Sequence, residues 1–298
     1  MIVGFIGLGT MGGPMALNLL KKGHRVVAFD VTPAAIRSLT DAGAVAAPTP
    51  KAVAAGSEVV ITMLPDAPDV ERVALGPDGI VEGIKPGSVY IDMSTIDPAT
   101  TRKVGAAMAA KGASMIDSPV GKTAEHAVAG TLTLMVGGPA DVVARCRPVL
   151  DCMGTDFFHC GELGAGQTMK LLNNLLAAAV GEASVEALVA GTKAGLSLDT
   201  MMSVLKTTMA WNNQLAISMP KRSLAGDFKP GFMMKLAHKD CRLALKMVDA
   251  LGVAAPVGHA VLGSLQEGLD RGLQDHDVGA LLKLREEPVG VEVRLRTS

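Results

Sequence analysis

Apolar residues occur in short unbroken runs through the first half of the chain and at helical spacing through the second. The runs cover residues 2–6, 25–29, 58–63, 88–92, 114–117, 131–136 and 156–159. The apolar run 2–6 predicts a strand buried on both faces, and the others predict further strands, the last closing the sheet. Helical periodicity fills the intervals, as at residues 14–20, 98–111 and 141–150. Such alternation predicts an α/β fold with a doubly wound, mostly parallel sheet. After Gly161 the strand signals largely stop, so a boundary is expected there, with residues 1–161 forming the sheet domain and 162–298 an all-α domain. The tail 289–298 is the exception. There Val291, Val293 and Leu295 alternate with Glu292, Arg294 and Arg296, which predicts a terminal strand or a subunit-contacting arm.

The first strand runs directly into Gly7-Leu8-Gly9-Thr10-Met11-Gly12 and then into a helix with Pro14 in its first turn. A G-x-G-x-x-G in a chain with 34 glycines is weak by itself. Between a strand and a helix it predicts a Rossmann-type dinucleotide site. Gly7 allows the tight turn, Gly9 lets backbone approach a pyrophosphate, and Gly12 lets the helix pack close while its N-terminus faces the anion. The second strand ends in Asp30, which suits ribose hydroxyls and repels a 2′-phosphate. Val31-Thr32 offers no arginine to receive that phosphate, so NAD is expected over NADP. Ligands bind beyond the carboxyl ends of such strands. Met63-Leu64-Pro65, Ser94-Thr95 and Gly121-Lys122-Thr123 all follow strands and are expected to converge there. Gly121-Lys122-Thr123 is not a phosphate loop, because that motif needs glycine where Ile116 stands. Lys122 is either a positive charge at the mouth of the crevice, aimed at an anionic substrate, or a solvated loop lysine.

Charge and composition narrow the functional classes. The chain has 298 residues, 49% hydrophobic and 19% charged, which is a globular composition. A formal net charge of −1 and 3% aromatic residues exclude an electrostatic or stacking case for nucleic acid. Cys146, Cys152, Cys160 and Cys241 lack zinc spacing and are expected to be reduced, buried hydrophobes, with no metal site. The chain opens in a strand rather than a basic, apolar leader, and the run 171–180 is interrupted by two Asn. A soluble cytoplasmic protein is therefore expected, with no membrane or nucleic-acid partner.

Residues 164–193 then read as one long helix free of proline. Lys170, Asn173 and Asn174 fall on one face of it, among Leu171, Leu172, Leu175, Leu176 and Ala177. Buried polar groups without partners cost about 2–7 kcal/mol, so these three either sit at a functional wall or on an exposed amphipathic face. A second helix, within 231–251, carries Lys235, Lys239, Arg242 and Lys246 on one stripe, which as a bare feature is a solvated basic face.

Taken together, the chain resembles the β-hydroxyacid dehydrogenase family, which includes 3-hydroxyisobutyrate dehydrogenase and tartronate semialdehyde reductase. The resemblance runs nearly end to end. It rests on F-I-G-L-G-T-M-G-x-P-M at 5–15, M-L-P at 63–65, D-M-S-T-I at 92–96, G-A-G-Q-x-x-K-L-L-N-N at 164–174 and H-K-D at 238–240. Hydroxyisobutyrate-type members carry D-x-P-V-S-G-G where this chain has Asp117-Ser118-Pro119-Val120-Gly121-Lys122-Thr123. The basic version is similar to members that reduce 3-sulfolactaldehyde, in which a basic residue holds the sulfonate. Arginine is more usual there than lysine.

The resemblance implies an NADH-dependent, reversible reductase of a small anionic aldehyde, acting as a homodimer or homotetramer. 3-Sulfolactaldehyde leads as its substrate, over tartronate semialdehyde and 3-hydroxyisobutyrate. It implies Lys170 as the proton donor, with Asn174 orienting substrate and Asn173 supporting it. Gly7, Gly9, Thr10, Met11, Gly12, Asp30, Met63, Leu64, Pro65, Thr95 and Lys239 would hold the dinucleotide. Ser94, Gly121, Lys122, Thr123, Asn173, Leu175, Leu176 and Ala177 would line the substrate. A non-catalytic dinucleotide-binding module and an imine reductase are the competing readings. Lysine at position 170 counts against both.

Overall fold

The computed structural model describes residues 1–295. Its contacts divide the chain into two compact units, Met1–Lys170 and Leu171–Ser298. The division falls inside one helix, Ala165–Lys193.

The first unit is built on nine strands: β1 (Ile2–Ile6), β2 (Arg25–Phe29), β3 (Val45–Ala46), β4 (Val59–Thr62), β5 (Val89–Asp92), β6 (Ser114–Asp117), β7 (Val120–Gly121), β8 (Leu132–Gly137) and β9 (Gly154–Gly161). They form one sheet in the order β3-β2-β1-β4-β5-β6-β8-β7, with β9 paired to β8. From β3 to β6 every pairing is parallel, and the order reverses at β1/β4 as in a Rossmann-type doubly wound sheet. β8 runs antiparallel to β6 and β7, and β9 runs parallel to β8. The two-residue strands β3 and β7 are too short to leave a periodic signal, and neither is legible in the sequence pattern.

Alternate residues of the central strands enter two separate cores. Val3, Phe5, Val59, Ile61, Val89, Ile91 and Ile116 pack on one face. Ile6, Val60, Tyr90 and Met115 pack on the other. Burial on both faces is why these strands read as continuous apolar runs. Thr49, Asp66 and Asp97 end extended segments and cap the following helices by accepting a backbone N–H from Ala52, Ala67 and Thr100.

The second unit is helical among its described residues, apart from a single bridge between Met233 and Asp277. Its apolar contacts gather in three clusters, around Val185, Leu188 and Met201, around Met234, Cys241 and Leu265, and around Leu171 and Leu243. Glu182 and Arg285 form an ion pair in its interior, with Arg285 also bonded to Glu267 at 2.9 Å and Ser264 at 2.6 Å. The expected terminal strand is not formed over residues 291–295. Instead Val293 is buried and its N–H donates to Glu286 Oε1 at 2.6 Å, while the Leu295 N–H donates to the Leu224 carbonyl at 2.9 Å. With no neighbouring strand to pair, the alternation serves to bury one side of an irregular segment. Arg296 lies outside the described residues.

By length and composition the Ala165–Lys193 helix could cross a bilayer, although only 28% of its most apolar window is buried. The burying environment expected for it is also partial: Leu171 is fully buried, but Leu172 is exposed and Leu176 is 66% exposed. Apolar residues surround this helix on all sides, so no single core can cover them all.

Glycine is required where that helix begins. A Cβ on Gly166 would collide with the Met135 carbonyl oxygen and approach Asp117 Oδ2 to 2.8 Å. Gly166→Ala should destabilise the protein by about 1–3 kcal/mol, as overpacking does. Thermal unfolding checks this, and an unchanged Tm would show that the helix start is free to shift.

Candidate active site

The glycine loop at the carboxyl end of β1 has the shape a dinucleotide needs. Gly7 sits at φ +91, and a Cβ there would collide with the Met63 carbonyl. A Cβ on Gly12 would strike the Gly7 carbonyl, whereas a Cβ on Gly9 meets nothing within 4 Å. Gly9 and Thr10 are exposed, Met11 is half-buried, and the first helix, Gly12–Lys21, has no acidic residue in its first turn. That helix N-terminus therefore presents unopposed partial positive charge beside open backbone, which fits a pyrophosphate. Asp30 braces the loop: Oδ2 accepts the Leu8 N–H at 2.6 Å and Oδ1 the Thr32 N–H at 2.7 Å. Among the described residues no cluster of His, Cys, Asp or Glu is arranged to hold a metal ion.

Behind the ends of β4, β5 and β6 lies a buried polar network. The Leu64 N–H donates to Ser94 Oγ at 2.9 Å, joining two of the predicted segments. Asp92 Oδ1 accepts from Thr62 Oγ1 at 2.8 Å and from the Ser94 N–H at 3.1 Å, and Thr62 Oγ1 also meets the Tyr90 hydroxyl at 2.7 Å. Burial pushes the Asp92 carboxyl up to about 6, against the lowering effect of its donors. Asp117, at the end of β6, accepts the Gly164 N–H on Oδ1 and the Gln167 N–H on Oδ2, both at 2.7 Å. Burial raises its carboxyl too, with those N–H groups opposing the shift. Asp92, Asp117 and Gln167 were assigned no role from sequence. Their signal was their place inside D-M-S-T-I, D-S-P-V and G-A-G-Q.

Three residues past Gln167, Lys170 is 9% exposed in the first unit. In the second unit, Asn174 is half-buried and donates through Nδ2 to Asp240 Oδ2 at 2.6 Å, and its Oδ1 accepts from Asn173 Nδ2 at 3.0 Å. Asn173 is exposed. Lys239 departs from the solvated stripe to which its spacing assigned it. Its side chain is 14% exposed, with Nζ 3.2 Å from Asp240 Oδ1, while Lys235, Arg242 and Lys246 are exposed. Asp240 itself is buried and was not singled out, although it closes the H-K-D motif. Leu175 is half-buried, and the Ala177 carbonyl accepts from Gln214 Nε2 at 3.1 Å.

Lys122 is neither a free charge nor a purely solvated one. Its backbone is left-handed at φ 76, and Nζ donates to the Thr131 carbonyl and to Asp156 Oδ2, each at 2.7 Å. The side chain thus reaches across the start of β8 to the β9 edge, where Asp156 offers opposite charge. The Asp156 carboxyl is lowered by this same lysine. Gly121 is buried in β7 and Thr123 is exposed. Cys146, Cys152 and Cys241 are buried free thiols as expected, whereas Cys160 is only half-buried. A separate hollow of about 400 Å³ opens at the amino ends of β1, β4 and β5, lined by Met1, Glu58, Lys85 and Arg145 among others. It faces the opposite end of the sheet from the glycine loop and has no part in this chemistry.

Residues 2–161 match the profile described as the NAD binding domain of 6-phosphogluconate dehydrogenase. Residues 164–285 match the NAD-binding domain of NADP-dependent 3-hydroxyisobutyrate dehydrogenase. The chain is an NAD(P)-dependent oxidoreductase acting on CH–OH groups, and it belongs to the 3-hydroxyisobutyrate dehydrogenase family of β-hydroxyacid dehydrogenases. It is 40% identical to the 3-sulfolactaldehyde reductase of Escherichia coli (strain K12) over 99% of both chains. With the 3-hydroxyisobutyrate dehydrogenase of Pseudomonas aeruginosa it shares 41% identity over 90% of this chain and 95% of that one. The structure of Mycobacterium tuberculosis 3-hydroxyisobutyrate dehydrogenase with L-serine superposes with a TM-score of 0.89 at 33% identity, covering 95% of this chain and 98% of that one.

Asp92 predicts a pH signature. An unfolded aspartate titrates near ~4, and the folded one at about 6, so between those values the native chain holds a proton that the unfolded chain has released. The stability it contributes is full below the unfolded value and is lost as pH rises through the folded one. Asp92→Asn should flatten the decline in Tm across that window. An unaltered slope would assign the decline to another group.

Proposed function

We propose that the protein reduces a small anionic aldehyde with NADH, reversibly, and that 3-sulfolactaldehyde, giving 2,3-dihydroxypropane-1-sulfonate, is its substrate. The carrying observation is a buried lysine, Lys170, on the same helix as Asn174 and one turn before it. A lysine in that position serves acid–base chemistry, which a module that only binds dinucleotide does not require. A bound nicotinamide would supply hydride to the carbonyl carbon. Lys170 Nζ donates the proton to the carbonyl oxygen in reduction and takes it back in oxidation. Asn174, its amide turned by Asp240 and Asn173, orients the substrate oxygen. Gly7, Gly9, Thr10, Met11, Gly12, Met63, Leu64, Pro65, Thr95 and Lys239 are assigned to the cofactor. Asp30 is assigned to the ribose, which favours NADH over NADPH by repelling a 2′-phosphate.

Lys122 and the kinship with a sulfolactaldehyde reductase support the sulfonate reading. An ammonium has three donors, and Thr131 and Asp156 take two, leaving one for the substrate anion. The same ion pair favours a second reading, because Asp156 already neutralises Lys122. In that case the substrate is a carboxylate such as tartronate semialdehyde or 3-hydroxyisobutyrate. Ser94, Gly121, Thr123, Asn173, Leu175, Leu176 and Ala177 complete the proposed substrate wall under either reading. A soluble cytoplasmic homo-oligomer is the expected form, and exposed Leu172 and Leu176 support association.

Steady-state kinetics on sulfonated and carboxylated semialdehydes, with NADH and NADPH, test the proposal. Lys170→Ala should lower kcat by about 10²–10⁴ with every substrate, the usual contribution of a positioned acid–base group. Retention of full activity by this variant would remove Lys170 from the chemistry. Lys122→Ala should lower kcat/KM about ten- to a hundredfold for the sulfonate alone, the equivalent of one charge-assisted hydrogen bond. An unchanged ratio between sulfonate and carboxylate would favour the second reading.

A further inference from the structure

We propose that Gln167 is a positioning residue for the reduction, holding Lys170 in register with the loop that carries Thr95. The inference rests on the catalytic assignment of Lys170 given above. Gln167 is fully buried. Its side-chain amide bonds the two backbone groups that flank Thr95. Oε1 accepts the Ile96 N–H at 3.1 Å, and Nε2 donates to the Ser94 carbonyl at 2.7 Å. The loop is held from its other side by Leu64 N–H on Ser94 Oγ and by Ser94 N–H on Asp92 Oδ1. The backbone of Gln167 is held as well, with its N–H on Asp117 Oδ2 at 2.7 Å.

One residue therefore joins the ends of β5 and β6 to the first turns of the Ala165–Lys193 helix. Lys170 follows three residues later, on the same face of that helix. A rigid helix transmits any shift at Gln167 directly to Lys170. The bridge needs one donor and one acceptor at the spacing of a primary amide, which methionine lacks at nearly the same length and asparagine offers one methylene short. The Asp117 bonds to Gly164 and Gln167 use backbone N–H groups, so they survive a side-chain change and keep the helix docked.

The test uses the full-length protein and whichever substrate the wild type turns over, from 3-sulfolactaldehyde, tartronate semialdehyde and 3-hydroxyisobutyrate. Gln167→Met should lower kcat by about 10- to 100-fold, as misplacement of a catalytic group by about 1 Å does. KM for NADH should rise far less than kcat falls, because the glycine loop and Asp30 are untouched and only the Thr95 end of the cofactor site is loosened. With 4-deuterated NADH the primary isotope effect on kcat should increase, since the chemical step becomes limiting. Gln167→Asn should show the same split to a lesser degree, and it serves as the test should the methionine variant fail to fold. A kcat within about threefold of wild type overturns the proposal, as does a parallel collapse of kcat and NADH binding, which marks a purely structural role. Wild type inactive on all three substrates overturns the catalytic reading itself. Wild type active with both Gln167 variants unimpaired overturns this inference alone.

Discussion

The carboxylate of Asp117 is the constraint on which the candidate site depends. It ends β6 and accepts two backbone N–H groups from the start of the long helix, those of Gly164 and Gln167. Helix N-termini leave donors unsatisfied, and here the acceptor comes from a strand rather than from the preceding loop. The sheet thereby determines where the helix begins and how it is rotated. Lys170, three residues past Gln167 on the same helix, inherits that setting. Gly137 and Gly166 permit the approach, since a Cβ on either would meet Asp117 or adjacent backbone.

Behind this joint the protein accepts an electrostatic cost. Asp92 and Asp117 are both withdrawn from water, which raises both carboxyls, and the charge of Asp117 adds to the shift of Asp92. Such carboxylates persist where each has donors, and Thr62, Ser94, Gly164 and Gln167 supply them. A fully apolar junction would pack as densely but would not specify the rotation of the helix or the path of the 94–96 loop. Hydrogen bonds define direction, and the proton transfer proposed for Lys170 would need direction more than stability.

The second unit repeats the device in a different form. Asp240 is buried between Asn174 and Lys239 and bonds the amide of one while pairing with the ammonium of the other. Lys122 shows the opposite use of a carboxylate. Asp156 holds its ammonium over the β9 edge and stabilises a backbone conformation that glycine, the family's usual residue at that place, adopts without strain. Under the proposed function, a substrate anion would share Lys122 with Asp156.

Much of this was legible in the chain. Strands buried on both faces declared themselves as apolar runs, because burial leaves no room for polar alternation, and the glycine loop was marked by its place between strand and helix. Lys170 and Asn174 were marked by the helical period. The two-residue strands were not legible because they are too short to carry a period, nor was the irregular path of residues 291–295, because alternation in sequence does not supply a neighbouring strand. Asp92, Asp117, Gln167 and Asp240 were present only as letters inside motifs. A carboxylate's role depends on which distant donors reach it, and those donors stand up to 66 residues away for Asp240. Lys122 shows the limit most plainly: its charge could be read from the sequence, but the direction of that charge was decided by Asp156, a partner that only the folded sheet brings within reach.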